Sequence, residues 1–375
     1  MDHDLSYLIA PKRSSVSKRD SGNDAMHAVV TRANGGYEQL DYCLVPKPKP
    51  ASNEVLIKVL AAGVNNTEIN TRLGWYANTV KGGTDDASVS VNDVGSEGGW
   101  NASTPFPIIQ GTDCCGEIVA VGDGIDPSRI GQRVLVRSCM RLKGFNSTEN
   151  IWMASDFDGA FAEYVSVPDS EVFSIKSDWT DAELATIPCA YGTAENMLER
   201  SQVNSRDTVL VTGASGGVGS AVVQLAKRRG AKVIGIVNKT KTDQALALGV
   251  DHVFTRDDNL VDLLGEESVS VIVDNVGGAG FAQRIKLLQR GGRYVSSGAI
   301  AGALVEFDMR DFYLRDLTFI GCTAWEASVF PNVVSYIERH EIKPLLAKTF
   351  PLKEIATAQK EFMLKEHFGN FVLIP

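Results

Sequence analysis

The sequence predicts an α/β fold in which a doubly wound parallel sheet follows a β-rich region. Three observations carry that prediction. From residue 181 to residue 340, short apolar runs alternate with helical segments. One strand–turn–helix–strand unit inside that stretch, residues 208–237, carries the glycine-rich turn Gly213-Ala-Ser-Gly-Gly-Val-Gly219. Upstream, from Met26 to about residue 175, apolar runs are short, rich in β-branched residues and bounded by Gly, Pro and Asp, which is the pattern of strands.

Residues 1–24 mix Lys12, Arg13, Lys18 and Arg19 with Asp2, Asp4, Asp20 and Asp24 and contain no signal-peptide apolar core, so they read as a flexible tail. The β-rich region, 25–180, has strand patterns at 54–61, 116–121, 133–137 and 162–167. The interval 77–104 is dominated by Gly, Ser, Thr, Asn and Asp. It is too long for an ordinary connection and reads as a functional lid or a disordered insertion. Thr180 and Glu183 form a capping-box signature for a helix expected to reach about residue 187, where Pro188 ends it; a second helix is expected over 193–200. Strand runs follow at 208–212, 232–237, 252–255, 270–274, 293–297 and 317–321, which make the doubly wound sheet. A helix is expected at 328–340 and a closing strand at 370–374.

The chain has 375 residues, 44% of them hydrophobic, enough for a large core and two domains. Its net charge of −9 argues against nucleic acid or an anionic membrane surface as main partner. Six cysteines form no C-x-x-C pair, so a disulfide framework is not expected. With no apolar run of about 18 residues, the expectation is a cytoplasmic protein acting on a small molecule.

The turn at 213–219 has a specific chemistry. Glycines allow a pyrophosphate to approach the backbone, and the free N–H groups at a helix start favour its charge. Gly216 and Gly219 match the second and third glycines of G-x-G-x-x-G, while Ala214 stands at the first. The pyrophosphate is therefore expected at Ser215, Gly216, Gly217 and Val218. An acidic residue at the end of the second strand would mark NAD; here Asn238, Lys239, Thr240 and Lys241 stand there, with no acid before Asp243. Asn238, Lys239 and Lys241 suit a 2′-phosphate, and the expected cofactor is NADPH. Asn275 and Val276 follow the fourth strand, and Gly298 to Ile300 follow the fifth, where they would meet the nicotinamide half.

The domain order together with Gly63-Val-Asn65, Arg72-Leu-Gly-Trp-Tyr76, Gly111-Thr-Asp113, Cys189-Ala-Tyr-Gly-Thr193, the glycine turn, Asp274-Asn-Val-Gly277 and the terminal Gly369-Asn-Phe-Val-Leu-Ile resembles the medium-chain dehydrogenase/reductase superfamily, in its zinc-free quinone oxidoreductase-like branch. The resemblance implies a GroES-like catalytic domain over 25–180 completed by 341–375, a Rossmann domain over 181–340, and a cleft between them. The reaction it implies is hydride transfer to a quinone or α,β-unsaturated carbonyl.

Zinc-dependent members of that superfamily take ligands at positions held here by Asn65, Thr112 and Cys189, of which only the cysteine suits the ion. No metal is expected; a site rebuilt from Cys189, Glu68 and Asp113 is the alternative. By the same resemblance Thr67 matches a proton-relaying hydroxyl, Tyr76 a tyrosine lining the quinone pocket, and Asn65 a group for the nicotinamide ribose or substrate, with Asn66 beside it. Thr193 joins the cofactor set. Arg72 reads as a contact for an anionic substrate or as a partner of Glu68 or Asp113. Members commonly form homodimers through the sheet edge, here 317–321. The rival readings are an alcohol dehydrogenase or carbonyl reductase with a rebuilt zinc site, and a non-catalytic NADPH-binding protein.

Overall fold

The computed structural model describes residues 24–84, 101, 103–147 and 149–375. The expected N-terminal tail and the greater part of the 77–104 interval lie outside these residues. Six strands form one parallel sheet in the order His252–Thr255, Lys232–Val237, Thr208–Val211, Val269–Val273, Leu288–Ser296, Thr318–Gly321. Every neighbouring pair runs parallel. The inner strands are buried on both faces, with Val209, Leu210, Val211, Val271 and Ile272 fully enclosed. That is why they read as continuous apolar runs rather than alternating ones. The strand order reverses between Thr208–Val211 and Val269–Val273, which opens a crevice beyond their carboxyl ends.

The other half is a sheet centred on the long strand Glu54–Val64. It pairs antiparallel with Cys115–Val121, Tyr164–Pro168 and Asn370–Ile374. Asn370–Ile374 thus returns the chain to the sheet of Glu54–Val64, and Leu346–Pro351 extends that sheet in parallel.

Two helix expectations need correction. The capping box at Thr180 is present, with Thr180 N–H donating to the Glu183 carboxylate at 2.9 Å, but its helix spans only Asp181–Leu184. Pro188 does not merely stop it; it opens the next helix, Pro188–Arg200. In the first turn proline forfeits no intrahelical bond and its fixed φ suits the helix, so this helix starts ahead of residue 193 and carries both Cys189 and Thr193.

The halves are tied together where they meet. Gly369 N–H donates to the Ser215 carbonyl at 3.0 Å, Arg141 Nη1 to the Trp325 carbonyl at 2.9 Å, and Thr84 N–H to the Ile300 carbonyl at 2.8 Å. The last contact lays the start of the 77–104 interval against the parallel-sheet half. No described helix is long and apolar enough to cross a membrane.

Candidate active site

The strand Glu54–Val64 leads through Asn65 into the helix Asn66–Leu73, which Gly74 closes in the left-handed conformation at φ 68°. Glu68 accepts the Asn65 N–H at 2.8 Å, satisfying one of the donors a helix start leaves open. This short helix presents Asn66, Thr67 and Asn70 to a cleft between the halves, joined by Trp75 and Tyr76 just beyond its end. Across the cleft stand Gly217 and Val218 at the start of the helix Gly217–Arg228, Thr193, Asn275, and Ser297 to Ile300. Residues 48 to 299 positions apart in sequence are thereby brought into hydrogen-bonding reach at its walls, as in Asn65 to Asp113 and Asn66 to Lys365.

Behind Asn65 lies a buried acid network. Asn65 Nδ2 donates to Asp113 Oδ2 at 2.6 Å and to Thr112 Oγ1 at 3.2 Å. Thr112 Oγ1 donates onward to Glu68 Oε1 at 2.6 Å, and the Cys189 N–H donates to Asp113 Oδ1 at 2.6 Å. Both hydrogens of the Asn65 amide are thus spent inside the protein. It can offer a ligand an acceptor but not a donor. Burial pushes the Asp113 carboxyl up to about 7, against the hydrogen bonds from Cys189 and Asn65, and raises Glu68 as well. Burial and the charges of Asp113 and Glu68 push the Cys189 thiol well up, against hydrogen bonding with Thr112 and Thr67.

That donor set does not suit zinc. Two of the three positions are a neutral amide and a hydroxyl that already donates to Glu68, and the lone thiol is disfavoured as thiolate, whereas zinc binds thiolate, imidazole and carboxylate. Among the described residues no three His, Cys, Asp or Glu side chains are grouped as a metal site.

Arg72 needs a second correction. It is 1% exposed, donates through Nε and Nη2 to Gln359 Oε1 at 3.3 and 3.1 Å and through Nη1 to the Gly35 carbonyl at 2.6 Å, and lies over the Tyr37 ring. It neither pairs with Glu68 or Asp113 nor lines the cleft, because its packing neighbours lie on the opposite side of its helix.

Tyr76 is half-buried, and its phenol is pushed above the ordinary range by burial, against hydrogen bonds involving Asn70 and Thr67. It stays protonated across any working pH and so remains a donor. Thr67 stands beside it in the same wall.

On the parallel-sheet side, the first-glycine duty of the fingerprint falls to Gly213, which takes φ 56° and so leaves Ala214 in an ordinary, fully buried position. Val276 stands over Gly213 rather than in the cleft wall. Asp274 fixes the turn that presents Asn275. Its Oδ1 accepts from Thr212 Oγ1 at 2.8 Å and from the Val276 and Gly277 N–H groups, while Oδ2 accepts from Arg284 Nε at 2.9 Å. Despite its burial, Arg284 and these amides hold Asp274 below the usual carboxylate range.

At the end of the second strand, Asn238 and Lys239 are exposed, but Lys241 is not. Its ammonium donates to the Lys365 and His367 carbonyls at 2.7 and 2.6 Å. Lys241, expected at a 2′-phosphate, lies buried as a clasp on the C-terminal segment: two of its three donors go to those carbonyls and the third points to Ser215 Oγ at 3.5 Å. A cation missed in the sequence stands nearby: Val237 pairs with Thr255, so exposed Arg256 leaves the sheet edge beside Asn238. Also missed were Trp152 and Trp325, an edge-to-face pair with centroids 5.6 Å apart that walls the cleft. Gly192 in the Cys189–Thr193 motif was the available signal, since a Cβ there would come within 2.2 Å of the Trp325 ring.

Comparison with known proteins matches residues 51–177 to the alcohol dehydrogenase GroES-like domain and 217–339 to the zinc-binding dehydrogenase family. A solved structure titled putative alcohol dehydrogenase from Sinorhizobium meliloti 1021 is 41% identical, covers 95% of this chain and 98% of its own, and superposes with a TM-score of 0.84. Acryloyl-coenzyme A reductase of Metallosphaera sedula is 26% identical over 93% of this chain and 99% of its own. Quinone oxidoreductase of Homo sapiens is 27% identical over 92% and 95%.

Proposed function

This chain belongs to the medium-chain dehydrogenase/reductase superfamily, and from that premise we propose that it is an NADPH-dependent oxidoreductase acting without a metal ion on a quinone or an α,β-unsaturated carbonyl. The observation that carries this reading is the cleft itself. Two neutral hydroxyls, Thr67 and Tyr76, face the carboxyl edge of the parallel sheet across a space walled by aromatic rings, where a zinc-dependent enzyme would need ligands that Asn65 and Thr112 do not supply.

The residues present fit a dinucleotide. Gly216, Gly217 and Val218, with Ser215, would hold the pyrophosphate, because the first N–H groups of a helix lack intrahelical partners and favour an anion. Thr193, Asn275, Gly298 and Ile300 would flank the nicotinamide half, and Asn65 would accept from a ribose hydroxyl. When bound, the cofactor supplies a hydride. The protein's own part is to orient the acceptor against the tryptophan wall, keep water out, and donate hydrogen bonds from Tyr76 and Thr67 to the oxygen that gains negative charge.

The cofactor preference has a direct test. Lys239, Asn238 and Arg256 would contact a 2′-phosphate, and a charge-assisted hydrogen bond is worth about 1.5–3 kcal/mol. Titration followed by nicotinamide fluorescence is expected to give NADPH at least about tenfold tighter binding than NADH, with most of that margin gone in Lys239→Ala. Equal affinity for the two cofactors in the parent protein contradicts the assignment.

A second reading, interconversion of a carbonyl and a secondary alcohol, draws on the 41% identical putative alcohol dehydrogenase. The same two donors would serve it, and a panel of quinones, enones, aldehydes and alcohols separates the two.

The assembly we propose is a homodimer. Thr318–Gly321 is one of the sheet's two edges, and the connection leading into it exposes Leu304, Met309, Tyr313 and Leu314. Unpaired edge groups and exposed apolar side chains both invite a partner. Solution scattering at micromolar concentration should report twice the chain mass; a monomer contradicts it.

A further inference from the structure

We infer that Gly83 and Thr84 are positioning residues for hydride transfer: they latch the wall that carries Tyr76 onto the loop that would flank the nicotinamide, and so set the spacing between hydride donor and acceptor. The inference rests on the NADPH-oxidoreductase reading above. Beyond Gly74 the chain folds in short turns, with Ala77 N–H donating to the Gly74 carbonyl at 3.1 Å and Val80 N–H to the Ala77 carbonyl at 3.0 Å. Trp75 Nε1 donates to the Gly82 carbonyl at 3.1 Å, and both Trp75 and Val80 pack against the core of the GroES-like half. The catalytic half thus holds residues 75–82 as a strap.

The end of the strap is held by the other half. Thr84, 2% exposed, donates its N–H to the Ile300 carbonyl at 2.8 Å. The approach is backbone on backbone. A Cβ at Gly83 would stand 2.7 Å from the Ile300 carbonyl oxygen and 3.1 and 3.2 Å from the Ala301 carbonyl carbon and Cα. Gly83 does not take a left-handed φ, so space rather than conformation requires glycine there. On its far side the same loop is pinned by Ile300 N–H to the Asn275 carbonyl at 3.2 Å and by Ala301 N–H to the Val276 carbonyl at 2.8 Å.

Joining the halves does not by itself require this latch, because Gly369 with Ser215 and Arg141 with Trp325 already join them. What the latch adds lies at one place in the cleft. Ile300 and Tyr76 both line it, and the strap makes the position of one wall depend on the other. Hydride transfer needs its two carbons held at contact distance, and a misplacement of about 1 Å introduced away from the chemistry can cost about a hundredfold in rate. The glycine turn and the Asn238–Lys239 corner make no part of the latch, so it should act on the transfer step and not on binding of the adenosine end.

The test is single-turnover kinetics of the full-length parent, Gly83→Ala and Thr84→Pro, each loaded with NADPH and mixed with the best acceptor that the parent shows among quinones and enones. The rate constant reads transfer in competent molecules and the amplitude reads their number, so partial unfolding moves only the amplitude. Ordinary contact lies at about 3.5 Å, so the alanine methyl must push the strap off the loop. Proline at 84 instead removes the donated N–H and leaves Gly83 in place, which keeps the test open if the alanine variant fails to fold. Both variants are expected to transfer about ten- to a hundredfold more slowly than the parent, with amplitude preserved and calorimetric affinity for 2′,5′-ADP within about twofold. A parent-like rate constant in either folded variant overturns the latch, as does a loss confined to the amplitude. Weakened 2′,5′-ADP binding overturns it too, because the contact would then support the whole cofactor half. These failures leave the functional reading intact, whereas a parent that transfers hydride to no quinone or enone overturns that reading and the latch with it.

Discussion

Replacing Tyr76 by Phe is expected to lower kcat by about a hundred- to a thousandfold, the loss typical of one donor aimed at a developing oxyanion, while NADPH affinity stays within about twofold, a few tenths of a kcal/mol. The phenol lines the cleft, and burial keeps it protonated. Its ring also meets Trp75 edge-on, with centroids 5.5 Å apart, and phenylalanine preserves that packing. Only the O–H is removed. Thr67→Val removes the neighbouring hydroxyl at nearly constant volume and should act in the same direction. Because the two hydroxyls share one wall and would serve the same oxygen, the double variant should lose less than the product of the single losses. Steady-state kinetics with a saturating acceptor, beside a cofactor titration, reads both quantities. If kcat is unchanged in both single variants while folding is intact, water supplies the proton and these side chains only pack.

Gly219→Val is expected to lower unfolding stability by about 3 kcal/mol, the upper end of overpacking losses, and to weaken NADPH binding on the order of a hundredfold. A Cβ at 219 would stand 2.2 Å from the Gly213 carbonyl oxygen and 2.9 Å from the Ala214 Cα. Both obstacles are backbone, so no rotamer change relieves them. Either the helix Gly217–Arg228 backs away from the strand Thr208–Val211, opening the packing around buried Ala221 and Val222, or the turn unwinds. In both cases the helix-start N–H groups would be drawn away from a bound pyrophosphate, and breaking each such charge-assisted hydrogen bond costs about 1.5–3 kcal/mol. Gly216 offers the contrast: a Cβ there would meet only the Gly213 carbonyl, at 3.6 Å, so Gly216→Ala should leave stability within about 1 kcal/mol, a small surface effect. Urea unfolding and cofactor titration of the pair check the distinction. A Gly219 variant as stable as the parent contradicts it.

The parallel sheet was legible because its strands are buried on both faces and so appear as apolar runs that no amphipathic helix would show. The glycine turn was legible because its chemistry is local. What escaped the sequence depends on partners far away in the chain. Arg72 looks like a cleft residue until Gln359, 287 positions on, is seen to accept from it. Lys241 looks like a phosphate ligand until the carbonyls of Lys365 and His367 are seen to occupy it. Trp325 and Trp152 come from separate stretches and show no shared motif. Gly83 and Thr84 sit in a stretch dominated by small polar residues, and nothing in its composition says that it meets the Ile300 carbonyl. Pro188 was misread for a different reason: proline both ends one helix and begins another, and only the backbone distinguishes the two roles.

The most direct measurement is turnover by protein stripped of metal with a strong chelator and verified by elemental analysis, using NADPH with a panel of quinones and enones. The reading of Asn65, Thr112 and Cys189 as a hydrogen-bonded wall predicts NADPH oxidation with at least one acceptor at a rate unchanged by chelator or by added zinc. Turnover that vanishes on stripping and returns with one equivalent of zinc would contradict it.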